Sequence, residues 1–258
     1  MIFFRKSFWL HEIVLTSSYD LIAEDFLADL AALSELVGAA HTAGTSPKTR
    51  IASVNSATLL LAATFEEFVR ELGRQFARDT VSRTDDPRRL PKKLTATAWK
   101  RTLEHLARAK IDTGGTPLSL EHISSDSRAK FDAVWAFLGG DVSQDIYSTL
   151  IHNENNMRPG EINSVFSVCD LQNVCLKISE HENLKECFGE DDSGKVHGKF
   201  LVWLNDFMET RNSIAHALNL GSSVGPEDFA SWARTFEAVA RALAGTLPNN
   251  LPALPADA

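Results

Sequence analysis

The chain has 258 residues, 44% of them hydrophobic and 23% charged. That is the balance of a globular protein with its own core, and it excludes collagen-like, purely coiled-coil and largely disordered readings. At about 150 residues per domain, the length fits one large domain or two small ones. The net charge of −8 excludes a protein that coats nucleic acid with its whole surface. Three cysteines, Cys169, Cys175 and Cys187, are too few for a disulfide scaffold, and the odd number suits a reducing compartment. No run approaches the roughly 20 apolar residues of a membrane helix. The opening stretch MIFFRKSFWLHEIVL lacks the order of a signal peptide. The expected location is therefore the cytoplasm, with no membrane partner.

In chain order, residues 1–17 read as an N-terminal extension. Residues 18–38 read as a helix that Ser18 can cap, with Leu21, Phe26, Leu30, Leu33 and Val37 near helical spacing. After the breaker HTAGTSP, a long helix is expected from about Lys48 to Val81. There Val54, Thr58, Leu61, Phe65, Phe68, Leu72 and Phe76 step by threes and fours into one apolar stripe. Asp85-Asp86-Pro87 ends it, and a basic helix follows Pro91. Gly114-Gly115-Thr116-Pro117 reads as a loop, and residues 126–138 as a helix stopped by Gly139-Gly140. Asn153 to Gly160 is a polar loop. Residues 161–178 fit strand or helix by pattern, with helix favoured by the neighbours. Residues 188–198 read as a loop, about 196–218 as a strong helix, and the segment opened by Pro226 as the last helix. The tail TLPNNLPALPADA (246–258) is Pro-rich and expected to be disordered. The fold class is all-α: one helical bundle over 18–245 with an irregular, mostly helical insertion at about 111–195.

Charge is unevenly spread. Residues 83–110 hold nine basic side chains, among them Arg88, Arg89, Lys92, Lys93, Lys100 and Arg101, against three acidic ones. This segment is +6 and the remainder −14. Either it is a solvated helix face with its loop, or it is a local patch that binds the phosphates of RNA on an otherwise acidic body.

The most informative segment is KFLVWLNDFMETRNSIAHALN (199–219). At about 100° per residue, Leu204, Phe207, Ile214 and Leu218 share a face, and Arg211 falls on it. A cation within an apolar stripe needs a partner or a ligand. Asn212 and His216, four apart, project together from another side, near Asn205, Met208 and Asn219. These groups suit phosphodiester chemistry. Arginine is a permanent, planar fork for phosphate. Histidine moves a proton near neutral pH, and asparagine orients by hydrogen bonds. Arg211 and His216 lie about 140° apart on an ideal helix, so two copies facing across a two-fold axis would form one composite cleft more readily than one chain does. The duller alternative is a buried salt-bridge arginine beside an ordinary surface histidine.

Arg211-Asn212-Ser213-Ile214-Ala215-His216 resembles the R-N-x-I-A-H form of the Arg-x4-His motif of HEPN domains, on a late helix followed by one more amphipathic helix. AATFEEFVREL (62–72) resembles the A-x-x-E-x-F-[LV] signature of an earlier HEPN helix, with Glu66 in the acidic position. The combination is most similar to the RiboL-PSP-HEPN group, over about 20–82 and 196–245. The resemblance implies a helical bundle that forms a homodimer through its motif helices. It also implies a metal-independent endoribonuclease that leaves 2′,3′-cyclic phosphate ends, of the kind found in phage defence and toxin–antitoxin systems, where an antitoxin or regulator is a further partner. Arg211 would then bind the scissile phosphate, His216 act on the 2′-hydroxyl or the leaving oxygen, and Asn212 help place the RNA. Glu66 would support them by pairing with Arg211 or Arg70, unless it is simply a solvated helix glutamate. Leu218 stands where nucleotidyltransferase-paired HEPN toxins often carry tyrosine, which argues against that modification switch. The alternative from another class is a non-catalytic HEPN module that binds a nucleotide or a partner protein.

No cofactor and no metal are expected. Cys169, Cys175, His181 and Cys187 are spaced by six, which walks around a helix instead of gathering ligands, so the cysteines read as buried apolar side chains. His152-x-Glu154 has no second half. No phosphate-cradling Gly-rich loop and no serine nucleophile elbow appear. The five tryptophans read as mostly core.

Overall fold

A computed structural model describes residues 17–84, 86–108, 125–152, 156–216 and 224–253. The expectations placed on 1–16, on Gly114-Gly115, on Glu154 and on Leu218 and Asn219 lie outside these residues. Ten α-helices make up the described fold, and no strand occurs among the described residues. The all-α expectation holds.

Two long helices form the spine. α1 (Ser18–Ala40) starts where Ser17, not Ser18, accepts the backbone N–H of Asp20 at 3.2 Å while Asp20 accepts the Ser17 N–H in return, a reciprocal capping box. α2 (Pro47–Ser82) starts at Ser46, which accepts the Thr49 N–H, with Pro47 in the first turn, where its missing N–H costs nothing. The stripe from Val54 to Phe76 is buried as its spacing requires. α3 (Lys92–Arg108) buries Leu94, Ala98 and Thr102, and α4 (Ser125–Leu138) packs beside it. Four short helices follow: α5 (Tyr147–Leu150), α6 (Pro159–Ser167), α7 (Val174–Ile178) and α8 (Glu182–Phe188). α9 (Ser193–His216) and α10 (Pro226–Thr246) close the bundle, α10 lying against α1 and α8 and α9 against α2.

An aromatic column holds the long helices in register. Phe236 of α10 lies 4.7 Å from Phe65 of α2, 4.7 Å from Phe207 and 4.9 Å from Trp203 of α9, measured between ring centroids. Phe26 of α1 stacks on Phe68 of α2 at 4.6 Å. Such offset and edge-on pairs add to the area they bury. The short helices share this core: Ile162, Phe166, Val174, Ile178 and Leu184 are buried in the same cluster. α2 meets α5 and α6 closely at Gly73, where a Cβ would sit 2.5 Å from Val165 Cγ1 and 3.2 Å from Ile151 Cγ2.

Several boundaries differ from expectation. The stretch 161–178 is helical but broken, because Asp170 and Asn173 take positive φ (63° and 51°), which stops a right-handed helix. The loop expected over 188–198 is shorter, since Asp192 accepts the Lys195 N–H at 2.8 Å and starts α9 there. The tail expected to be disordered from 246 is partly built into the fold. Leu247 is fully buried, a 3₁₀ turn covers Pro248–Asn250, and Arg83 donates to the Pro252 carbonyl at 3.3 Å. Trp135 is 62% exposed and so is not core. Cys169 and Cys175 are buried, as read, whereas Cys187 is exposed.

Truncating the column at its centre should cost most. Phe236→Ala is expected to lower stability by about 3–5 kcal/mol, measured as the shift of a denaturant unfolding curve at unchanged slope.

Candidate functional site

α2 and α9 cross so that Glu66 and Arg211 come together. The Glu66 side chain is 13% exposed and its Oε2 accepts from Arg70 Nη2 at 3.3 Å. Burial pushes its pKa above the usual 4.5, and the charges of Arg70 and Arg211, the Arg70 hydrogen bond and the nearby Met157 N–H offset this only in part. Glu66 is therefore not a fully solvated helix glutamate. Glu66 Oε1 and Arg211 Nε are buried without a hydrogen bond of normal geometry among the described residues.

Arg211 turns across the helix surface. Its Nη1 donates to Asn212 Oδ1 at 3.1 Å, and the same oxygen accepts from Asn156 Nδ2 at 3.0 Å. The 140° offset on the ideal helix therefore overstates the separation of Arg211 from the Asn212 side. Along that side runs a polar stripe, Asn205, Glu209, Asn212 and His216, at spacings of four, three and four. Arg158 docks on its upper part, donating to Asn205 Oδ1 at 3.1 Å with Glu209 at 3.7 Å. His216 ends the described helix, exposed and with no hydrogen bond or ion pair among the described residues. Met208, expected near this side, is fully buried. Arg158 and Asn156 escaped the sequence reading, because nothing in a polar loop shows which helix it will lie on.

Arg88 is 90% exposed and pairs with Asp86 at 3.0 Å. Of the basic segment, Arg88, Arg89 and Lys92 are not among the residues that line the concave region shared by Lys93, Lys100 and Arg101. Those three line a cleft of about 710 Å³, joined by Arg74, Arg108 and Lys130. The cleft and the motif cluster are neighbours. His152 lines the cleft, while Asn156 and Arg158, a few residues on, contact α9. A ladder of ion pairs on α2 also spans the gap. Arg74 binds both Glu71 and Glu67, the latter at 2.7 Å; Glu67 accepts from Arg70 at 2.9 Å; Arg70 binds Glu66.

A family model described as RiboL-PSP-HEPN matches residues 24–249. The chain belongs to that family. No curated protein and no solved structure matches it. Membership makes this HEPN chain a nuclease-type or RNA-related module, and the match runs through the segment read as an insertion. No described group of His, Cys, Asp and Glu has a metal-binding arrangement, and no described helix is long and apolar enough to cross a membrane.

The raised pKa of Glu66 fixes the sign of a pH effect. Below about pH 4.5 the carboxyl is protonated in both folded and unfolded chains. Between that pH and the raised folded value, only the folded chain holds the proton, so stability falls as pH rises. Measured side by side from pH 4 to 7, the wild-type HEPN chain should lose stability relative to Glu66→Gln, which cannot titrate. Wild-type stability that stays level with, or rises relative to, that of Glu66→Gln as pH increases overturns this assignment.

Proposed function

We propose that this HEPN chain is a metal-independent endoribonuclease, acting as a homodimer through its motif helices in phage defence or a toxin–antitoxin-like system. The observation that carries the reading is the state of the three motif side chains. Arg211 is anchored at one end through Asn212, carries a buried Nε without a partner, and lies beside a stripe whose last member, His216, is an exposed and unengaged imidazole.

In the proposed reaction the 2′-oxygen of the RNA attacks the adjacent phosphorus and the bond to the 5′-oxygen breaks. The products are a 2′,3′-cyclic phosphate and a 5′-hydroxyl. His216 takes the proton of the 2′-hydroxyl or returns one to the leaving oxygen. Arg211 faces the non-bridging oxygens and stabilises their charge in the pentacovalent state, a task its fixed fork suits better than a lysine. Asn212 holds the guanidinium in place, and Asn156 holds Asn212. Glu66 keeps the arginine oriented through charge. Two motif helices across a two-fold axis would supply both a proton acceptor and a proton donor. The excess positive charge of residues 83–110 attracts the RNA backbone from a distance, and the acidic remainder limits binding elsewhere.

The test is RNA cleavage in EDTA with end-group analysis. Wild type should yield cyclic-phosphate ends. His216→Ala and Arg211→Ala should each cleave at least about 100-fold more slowly, with unchanged helical circular dichroism for His216→Ala. Arg211→Lys keeps the charge opposite Glu66 but loses the fork. It should fold like wild type and still cleave slowly, which a purely structural arginine would not do. A folded dimer with no cleavage to lose would favour the non-catalytic HEPN module that binds a nucleotide or a partner protein.

A further inference from the structure

The cleft beside the motif cluster has a chemistry of its own. Its six cations come from three helices: Arg74 from α2, Lys93, Lys100, Arg101 and Arg108 from α3, and Lys130 from α4. Glu104 is the one carboxylate among the lining residues, and Val168 the one aliphatic side chain. Hydroxyl groups of Thr97, Ser148, Thr149 and Ser164 and the imidazoles of His105 and His152 complete the described wall. At about 710 Å³, it lies within the roughly 300–1,000 Å³ of small-ligand sites, and its side chains are mostly cationic and hydroxylic rather than aliphatic.

That composition decides what it can hold. No Phe, Tyr or Trp lines the wall, so the large stacking platforms typical of single-strand binders are absent from it. Hydroxyl, guanidinium and ammonium donors suit phosphate oxygens. Lys93 and Arg108 are fifteen residues apart on α3, about 22 Å along the axis, so one phosphate cannot engage both ends. Arg74 has Glu67 and Glu71 as carboxylate neighbours, Lys100 has Glu104 at 3.7 Å, and Lys130 has Asp126 at 2.8 Å. Pairs with exposed partners like these are individually weak, and a ligand of higher charge density displaces them.

We infer that this cleft is a second phosphate site, built to grip two or more consecutive phosphates without reading a base. The phosphates come either from a free polyphosphorylated nucleotide or from an RNA strand lying across the cleft. The site does not depend on whether Arg211 and His216 cleave RNA.

The experiment titrates the full chain with two probes: inorganic tripolyphosphate, and a 2′-O-methyl oligonucleotide of eight residues that has no 2′-hydroxyl to attack. Each is read by calorimetry in wild type and in two double variants. Lys100→Glu/Arg108→Glu reverses two exposed cations of the cleft, Lys100 being 77% exposed. Lys195→Glu/Lys199→Glu makes the same charge change at exposed positions outside the cleft and outside residues 83–110. The cleft variant should bind about tenfold or more weakly, the scale of losing charge-assisted hydrogen bonds, while the control pair stays within about threefold. Tripolyphosphate binding that follows this pattern identifies a free ligand as sufficient. Oligonucleotide binding alone, with the same pattern, identifies a strand as the source. Equal loss in both double variants, or no binding of either probe to wild type, overturns the site. Cleavage is not read, so failure here and failure of the ribonuclease reading are separate results.

Discussion

A carboxylate buried between two guanidinium groups sets the geometry of this molecule. Glu66 on α2 pairs with Arg70 on its own helix and lies within the field of the Arg211 charge on α9. The aromatic column around Phe236 enforces the register of α2 and α9 from the apolar side. The loop at 156–158 reaches over from the polar side, with Asn156 on Asn212 and Arg158 on Asn205. Desolvation of the carboxylate is only partly offset, so the site carries a free-energy cost that the packed core around it sustains.

Much of this was legible in the sequence, for physical reasons. The α2 stripe announced itself because each member lies three or four positions from the next, and a helix that long has no other way to bury seven large side chains. Arg211 stood out as a permanent charge within an apolar stripe. Glu66 was found through its resemblance to a family pattern and then proved buried. What escaped depended on contacts far apart in sequence. Arg74 and Lys130 belong to helices whose local pattern says nothing about a shared cleft. Arg158 sits in a loop, and its partner Asn205 lies 47 positions away. The break between α6 and α7 turns on backbone angles at Asp170 and Asn173, residues that tolerate positive φ without requiring it.

α3 shows how one helix divides its labour. Leu94, Ala98 and Thr102 anchor it to the core, and Lys93, Lys100, Arg101 and Arg108 run along the cleft. On a third side Trp99 meets Phe131 and the exposed Trp135 at about 6 Å. The apolar and charged faces diverge by simple periodicity, so the cations stay in solvent while their stems cover apolar surface. The result is a positive hollow on an acidic molecule, held by the same core that holds the motif.

The close approach at Gly73 bears on how this architecture can change over generations. α2 carries the acidic end of the site, and α6 begins directly after the loop that steadies Asn212. The two helices touch where there is no room for a side chain. Divergence at this contact must therefore be concerted, with a larger residue at 73 tolerated only in a lineage that has already trimmed Val165 or Ile151. Among distant members of the family, the contact at Gly73 should record common descent more faithfully than the surface that surrounds it.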